Sequence, residues 1–550
     1  QPSYLLAQRE IIQQQESSSS LPFISKDQRW IVLFDGHIYN IQQLKEQWNT
    51  EGKHLHTNTT AEIIFYTFKK YGNEFAKYLE GAFAIVILDT VNNKIILTRD
   101  ALGKKNLFYH ISANQLIFSS EIHPILRLSN RNLTFNDEAV NQFLAIGYVL
   151  QPLTLYTDVF QVEAGQVAEY NLNEQHLKKS QYFSLQQLFT EPQHISLKDA
   201  TQELQRLLQL SINKRMQRSS PLGIFLSGGL DSSTLAYFVH NISDIPACYF
   251  SFSFEAEDYN EFPKALSLSK AIGCEIQQVS APKDIQLTIT NFIRNSDYLP
   301  ADNAIFPLHF LSLQASKQVQ YVLSGDGADE LFGGYTTVQA DTLNQHFHFL
   351  KIFKNSSLIK NWSNINNKLG WKVKASRFIQ GTDPNGRKAH YQWRQILSAE
   401  ERVKIMGEEK RELIFDTDPF HIFNQYYEHV QDLHPQQQHM YVDMNTWLVD
   451  NILYKTNKAT IDTGIEVSSP FLDLEVVKFA CSLPVQFKKN KLILRELMKD
   501  KLPKDIVYQK KSGFNSPMGD WMNIEVNEYI WLTKYLYQHY AKSIHSHTRL

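Results

Sequence analysis

Ile224-Phe225-Leu226-Ser227-Gly228-Gly229-Leu230-Asp231-Ser232-Ser233 is the run that decides the fold of the larger part of this chain. An apolar segment leads into two glycines and a set of hydroxyls. Leu235, Ala236, Phe238 and Val239 then take up helical spacing. That order predicts a strand, a tight turn and a helix. Paired glycines let the backbone approach a ligand closely. The start of a helix turns unpaired N–H groups and a partial positive charge toward the turn. With the hydroxyls of Ser227, Ser232 and Ser233, the run is a seat for an anion, a phosphate group first of all. It is not the kinase-type loop G-x-x-x-x-G-K-[ST], because no lysine follows the glycines. Asp231 stands there instead, and an acid in an anion site makes sense if it holds Mg2+ shared with phosphates. Taken alone, Ser-Gly-Gly reads first as an ordinary strand-to-helix turn; the Asp-Ser-Ser that follows and the second run below weigh against that.

A second run, Val322-Leu323-Ser324-Gly325-Asp326-Gly327-Ala328-Asp329-Glu330-Leu331-Phe332-Gly333-Gly334-Tyr335, supplies the context. Again an apolar strand ends in a glycine turn, now with Asp326, Asp329 and Glu330 close together. The spacing is not that of a calcium loop of the EF-hand type. Around the two runs the pattern alternates. Strand Ile224–Leu226 precedes a helix, strand Ala247–Phe254 precedes helix Phe262–Ala271, and strand Tyr321–Leu323 follows a helix near Leu308–Lys317. Alternation predicts a parallel sheet covered by helices. One anion-seating and one acidic strand end then share the crevice at the sheet's carboxyl edge. The ligand this implies is a nucleotide with magnesium. Beyond Tyr335 the chain reads as largely helical.

At 550 residues the chain holds more than one domain. A formal net charge of -2 implies neither a nucleic-acid-binding field nor a polybasic membrane patch. Histidines and basic clusters such as Lys488-Lys489 are expected on the solvated surface. Three scattered cysteines, Cys248, Cys274 and Cys481, argue against a disulfide framework, for a reducing compartment, and against a zinc site. No apolar run approaches membrane-spanning length. The expected location is cytoplasmic, with no nucleic acid or membrane partner.

Residues 1 to about 190 read as β-rich. Ile31-Val32-Leu33-Phe34, Ala82 to Leu88, Lys94-Ile95-Ile96-Leu97 and Leu116-Ile117-Phe118 are strand-like, and Ala61 to Tyr71 has helical spacing. Stacked strands with a few helices suit a sandwich with flanking layers. Ser17 to Ser20 is a short low-complexity loop. Glu191-Pro192-Gln193, just before the helical run Leu197 to Ile212, marks a boundary near residue 195. The expected domains are 1–195 and 196–550.

Together the two glycine-containing runs resemble the synthetase domain of glutamine-dependent asparagine synthetases. Other segments agree in order: Phe252-Ser253-Phe254 with Tyr259-Asn260-Glu261, Asn457-Lys458-Ala459 with Glu466 and Pro470-Phe471-Leu472-Asp473, then Leu494-Arg495, Leu502-Pro503 and Lys511-Ser512-Gly513-Phe514. In the front half, Leu79-Glu80-Gly81-Ala82-Phe83-Ala84, Arg99-Asp100-Ala101-Leu102-Gly103 and Ser119-Ser120-Glu121-Ile122 resemble the family's L-N-G-x-F-A, R-D-x-L-G and A-S-E-I. The resemblance covers almost the whole chain. It implies an α+β N-terminal-nucleophile sandwich of the class II glutamine amidotransferase type. An α/β ATP-pyrophosphatase domain, similar to adenine nucleotide α-hydrolases, follows it.

The resemblance also implies roles. ATP would lie on Leu226, Ser227, Gly228, Gly229, Asp231, Ser232, Ser233, Ser253 and Gly325, with Asp231 and Asp329 as magnesium ligands. Asp326 matches the family's catalytic acid, usually Glu, and Lys511 its late charge-stabilising lysine. Where a glutamine pocket should be, the chain departs from the pattern. The family's N-G-E-I-Y-N is here Asp35-Gly36-His37-Ile38-Tyr39-Asn40, and its S-D-x-E is Thr59-Thr60-Ala61-Glu62. An ionised Asp cannot donate to an oxyanion as Asn does. His37 does not replace the lost glutamate charge, and Thr60 stands where an Asp would meet the glutamine amine. Only Arg9 matches. The chain opens on Gln1-Pro2, not on the family's nucleophilic cysteine; Leu5 to Ile11 resembles a segment that normally follows a leading strand, which leaves room for an earlier segment. Ser468 stands where the family keeps an arginine near the acyl site, which puts free aspartate in question as the substrate.

Three readings follow. The first is an ATP-dependent amide-forming ligase working without glutaminase, like lasso-peptide macrolactam cyclases and β-lactam synthetases. It would act on a small-molecule or peptide substrate bearing a carboxylate and an amine. A homodimer and a partner protease or peptide-recognition protein are compatible with it. The second is a glutamine-hydrolysing asparagine synthetase whose cysteine precedes residue 1. The third is a nucleotide-binding pseudoenzyme scaffold, against which the retained acids Asp231, Asp326 and Asp329 argue.

Overall fold

The computed structural model describes residues 22–52, 55–112, 115–129, 134–189, 193–216, 221–242, 247–354, 356–357, 359, 371–509, 513–524 and 527–547. Arg9, the run Leu5 to Ile11, Ser17 to Ser20, Glu191-Pro192 and Lys511 lie outside the described residues. The backbone divides into two compact units that interleave in sequence. The first comprises Gln1–Leu133, Gln151–Ser184 and Asn213–Ser220; the second Thr134–Leu150, Leu185–Ile212 and Pro221–Leu550.

In the first unit, strands β1 (Phe23–Ile24), β2 (Trp30–Ile38), β3 (Gly81–Asp89), β4 (Lys94–Arg99), β8 (Gln166–Asn171) and β9 (His176–Gln181) form one antiparallel sheet in that order. Strands β5 (Phe108–Ser112), β6 (Gln115–Ser119) and β7 (Val159–Gln161) form a second, ordered β6-β5-β7. Alternation along β3 explains its unbroken apolar run. Val86 and Leu88 pack with Leu97, Tyr109 and Val162 between the sheets. Ile85 and Ile87 face the other way, against Trp48 of α1 (Ile41–Thr50) and Ile63 and Ile64 of α2 (Thr60–Tyr71). Side chains two apart share a face, so a strand covered on both faces must be apolar throughout. Helix α3 (Ile122–Leu128) packs on β5 and β6.

The second unit takes α4 (Asp137–Ile146) and is built on a parallel sheet. Its strands are β10 (Leu222–Phe225), β11 (Cys248–Ser253), β12 (Ile276–Ser280), β13 (Tyr321–Leu323) and β14 (Glu466–Ser468), in the order β12-β11-β10-β13-β14. Helices α5 (Leu230–Ile242), α6 (Phe262–Ile272) and α7 (Ile305–Ala315) provide the crossovers, and α8 (Ala328–Phe332) follows β13. Further along come α9 (Pro435–Asn445), a π-helical turn at Trp447–Leu453, α10 (Tyr454–Thr460) and α11 (Leu492–Met498). No described helix is long and apolar enough to cross a membrane.

The surface expectation for histidines and basic clusters is corrected at several positions. Lys488 is fully buried, its ammonium donating to the Cys481 carbonyl at 3.3 Å, and burial pushes it down to about 8. His110, His390 and His439 are buried as well. Each has a polar partner inside: Asp158 O for His110 and the Tyr427 hydroxyl for His390, while His439 faces Asp341. A buried polar group with a partner avoids most of the desolvation cost.

Candidate active site

The sheet places the site. From the central β10 the chain moves outward to β11 and β12, then returns to the other side of β10 to form β13 and β14. The direction therefore switches between β10 and β13, and the loops leaving these two strands flank a crevice at their carboxyl ends. Those loops are the two glycine-containing runs.

In the first loop, the Ser227 backbone N–H donates to Ser232 Oγ at 3.2 Å, and the two hydroxyls lie 3.1 Å apart. The Gly229 N–H donates to Ser227 Oγ at 3.2 Å. Gly228 has a φ of +76, and a Cβ there would stand 2.7 Å from Ala265 N, so the turn presses on α6 and needs glycine. Leu226 is buried and joins through its backbone, donating to Phe250 O at 2.8 Å. Ser233 is wholly buried, so its side chain does not line the crevice as the sequence suggested, whereas Ser232 does join the turn's hydrogen bonds. Ser253 closes β11 one strand away.

The second loop meets the first directly: a Cβ on Gly325 would be 3.0 Å from Asp231 Cβ. Asp326 Oδ2 accepts from Ser324 Oγ at 2.9 Å and from Thr456 Oγ1 of α10 at 3.2 Å. Ser469 Oγ holds the Asp326 carbonyl at 2.5 Å. Ser324 N–H donates to the carbonyl of Ser468 at 3.0 Å, which seats the end of β14 beside the acidic loop. Glu330 is buried and accepts from the Tyr335 hydroxyl at 2.6 Å; burial, then the neighbouring Asp329 charge, pushes its carboxyl up to about 7. Tyr335 in turn accepts from Trp447 Nε1 at 3.0 Å, and Arg394 lies 4.3 Å over the Trp447 ring. Trp447 opens the π-helical turn, a winding that recurs at functional sites. A small cleft continues from Asp329 and Glu330 toward His390, His439 and Asp443.

The residue that sequence reasoning missed is Lys491, at the start of α11. Its Nζ donates to both carboxylate oxygens of Asp231, at 2.7 and 2.6 Å, and lies 2.5 Å from Asp329 Oδ1. A Cβ on Gly334 would be 1.8 Å from Asp329 Oδ1 and 2.1 Å from Lys491 Cε, so only glycine leaves room for this pair. Asp231 and Asp329 therefore do converge across more than ninety residues of sequence, around a cation. Lys491 stands three residues before the Leu494-Arg495 pair, and nothing in its local spacing singles it out. The fit to Mg2+ is good: the donors are carboxylate oxygens, which hard cations prefer, and an ammonium already stands between them.

In the first unit, the residues read as an altered glutamine pocket are arranged differently. Asp35, Gly36 and His37 close β2, and Thr60 opens α2, which packs on β2. Gly36 (φ +117) is pinned, since a Cβ would be 2.1 Å from the Ala82 carbonyl oxygen. Asp35 is half exposed, 3.5 Å from Lys105 Nζ. Glu62 is buried, and its carboxylate accepts from the N–H groups of His56, Thr57 and Asn58 at 2.8, 2.8 and 3.0 Å. Asp100 accepts from the N–H groups of Phe83, Leu102, Lys104 and Lys105. Arg99 is fully buried and donates to the carbonyls of Gly103, Lys105 and Val162.

A nucleotide-type crevice in one unit and an amidotransferase-type sandwich in the other define a class: ATP-dependent carbon–nitrogen ligases. The Asparagine synthase family matches residues 203–534, and the Glutamine amidotransferase domain family matches residues 4–183. The chain belongs to the Asparagine synthase family. It is thus an ATP-dependent ligase of the asparagine synthetase type, with an N-terminal-nucleophile amidotransferase fold followed by an ATP-pyrophosphatase fold. It is 28% identical over 521 residues to asparagine synthetase [glutamine-hydrolyzing] 1 of Bacillus subtilis, covering 92% of this chain and 79% of that protein. A putative asparagine synthetase of Mycobacterium bovis is 27% identical over 526 residues, covering 92% and 78%. Putative asparagine synthetase [glutamine-hydrolyzing] 2 of Methanocaldococcus jannaschii is 33% identical over 314 residues, covering 56% and 59%.

Proposed function

We propose that this ligase adenylates a carboxylate and passes it to an amine without hydrolysing glutamine. The observation that carries the reading is the convergence of Asp231, Asp329, Asp326 and Lys491 on the switch point of the sheet. ATP would lie over Ser227, Gly228, Gly229 and Ser232, with Gly325 opposite. Asp231 and Asp329 would hold Mg2+, which when bound offsets charge on the leaving pyrophosphate. An oxygen of the substrate carboxylate attacks the α-phosphorus, the bond to the bridging oxygen breaks, and pyrophosphate leaves. Lys491 is placed to neutralise phosphate charge; Lys511, outside the described residues, keeps the role its resemblance implies. The amine nitrogen then attacks the acyl carbonyl, AMP departs, and Asp326 accepts the amine's proton. The hydroxyls of Ser324 and Thr456 hold that carboxylate in place.

Two features support an acceptor other than glutamine-derived ammonia. Asp35, paired with Lys105, is a carboxylate where an amide donor is needed, and His37 and Thr60 complete an altered set. Ser468, buried beside the acidic loop, brings no guanidinium to the acyl site, which favours a peptide or another amine-bearing acid over free aspartate. A macrolactam-forming cyclase fits both, and a cytoplasmic location, a homodimer and a partner peptide-recognition protein belong to the same proposal.

A second reading, a glutamine-hydrolysing asparagine synthetase, is favoured by the names of its relatives and by the amidotransferase match over residues 4–183. Pyrophosphate release with Mg-ATP separates the two. With aspartate present or absent, glutamine and ammonia are added in turn. No release with aspartate under any nitrogen source, together with release on adding a peptide that bears a carboxylate and an amine, supports the first reading. Aspartate-dependent release that yields asparagine and consumes glutamine overturns it.

A further inference from the structure

Lys491 stands where a divalent ion would stand. Its ammonium meets three carboxylate oxygens within 2.7 Å, two from Asp231 and one from Asp329. None of the three side chains is a surface group: their exposures are 7% for Lys491, 14% for Asp231 and 12% for Asp329. The backbone is committed to this placement. Asn490 and Lys491 are both left-handed, with φ of 52 and 57. That conformation is costly for residues other than glycine and survives where the surroundings impose it. Asn490 tolerates it best and is fixed by Gln339 Nε2, which donates to its Oδ1 at 2.6 Å. On the other side Gly334 keeps the path of the lysine clear, since any Cβ would strike Lys491 Cε.

We propose that Lys491 is an exchangeable internal counter-cation: while no nucleotide is bound it neutralises Asp231 and Asp329 and keeps divalent metal out. Metal then enters only together with nucleotide, whose phosphates give the displaced ammonium a new anionic partner. The proposal rests on the reading of these two acids as the metal ligands of an ATP site. The physical basis is simple. An ammonium and a divalent ion cannot share the same two carboxylates, because like charges at contact distance repel strongly in a partly buried site. The lysine is tethered, so it holds the position at a high effective concentration against dilute free metal.

The probe is Mn2+, titrated into the full chain without nucleotide and followed by the electron paramagnetic resonance signal of the free ion. Wild type should bind weakly, and K491R should behave as wild type. K491M should bind at least about tenfold more tightly. Because K491M leaves two acids facing each other, K491Q is measured beside it, with circular dichroism melts to show that each variant is folded; the same gain is expected. The gain should vanish in the double variant K491M/D329N, which places the ion on these acids. A non-hydrolysable ATP analogue should switch on Mn2+ binding in wild type. Equal nucleotide-free binding by wild type and both folded neutral variants, with nucleotide-dependent binding intact, overturns the exchange. Loss of Mn2+ binding even with the analogue overturns the magnesium–ATP reading instead.

Discussion

Glu62 and Asp100 in the first unit and Asp231 and Asp329 in the second are all acids within stretches that resemble family motifs, yet their oxygens are engaged in opposite ways. Asp100 accepts four backbone N–H groups and Glu62 accepts three. Those donors belong to the loops themselves and cannot leave without unmaking them. Asp231 and Asp329 are engaged by the tip of one lysine side chain, a partner that a bound ion can replace. The same contrast separates Arg99, locked onto three carbonyls, from Lys491. A motif can therefore persist for two reasons. In the first unit the retained residues secure turns; in the second they leave a charge arrangement that can be exchanged.

The sharpest way to break this contrast is to remove one acid from each unit. Asp231→Ala should lower pyrophosphate release at least about 10²-fold with little change in melting temperature. Asp100→Ala should do the reverse. It leaves buried N–H groups without an acceptor, costs about 3–5 kcal/mol of stability in a urea titration, and spares pyrophosphate release per folded molecule. A D231A protein that keeps its rate would remove the second unit from the chemistry.

Glycine substitutions sharpen the same point. Gly334→Ala places a methyl 1.8 Å from Asp329 Oδ1, against side chains that can move, and should cost about 10-fold to 100-fold in rate while the fold persists. Gly36→Ala places it 2.1 Å from a backbone carbonyl at φ +117, where nothing can give, and should destabilise by about 2–4 kcal/mol. Equal melting losses in the two variants would erase the distinction.

A pH test comes next. Burial holds the Asp341 carboxyl at about 6, above the ordinary value of 3.8. A carboxyl raised in the folded state contributes stability fully below the unfolded pKa and loses it as pH rises through the folded value. Wild type should therefore lose about 2 kcal/mol between pH 4 and pH 7 from this group, and Asp341→Asn should flatten that part of the profile. Urea midpoints across that range decide it; an unchanged slope in the variant rules the assignment out. The smallest effect belongs to Thr456→Val, which removes a 3.2 Å hydrogen bond to Asp326 and should slow amide formation a few-fold without altering ATP binding.

Much of the fold was legible because its elements are local and strongly patterned. Tyr321–Leu323 and the helix starting at Phe262 emerge where periodicity put them. Ala82 to Leu88 lies within β3, and Ala61 to Tyr71 within α2. What stayed hidden depends on long-range pairing. Strand β14 is only three residues long and exists because Val467 pairs with Val322, 145 residues earlier. Lys491 reaches Asp231 from 260 residues away, so no window around it could show its partner. Lys488 looked like surface because a lysine in a basic cluster gives no sign of the burial that tertiary packing imposes, although its acceptor, the Cys481 carbonyl, is only seven residues away. Within the site, the two loops were readable as strand ends with glycines and acids. The cation between them was not, since a single lysine in a basic stretch carries no positional signal.

Helix α4 belongs to the second unit although it lies in sequence between two pieces of the first, Gln1–Leu133 and Gln151–Ser184. Residues Ala139 to Ile146 along it are all buried, and Asn141 donates to the carbonyls of Ile414 and Thr417. On the ribosome, that helix is made 273 residues before its partner at Ile414. At roughly 5–20 residues per second it waits for about 14 to 55 s with its apolar side uncovered. The nascent chain thus carries a sticky segment while 273 further residues are made, and the yield of folded protein in a cell should depend on chaperone capacity during that interval.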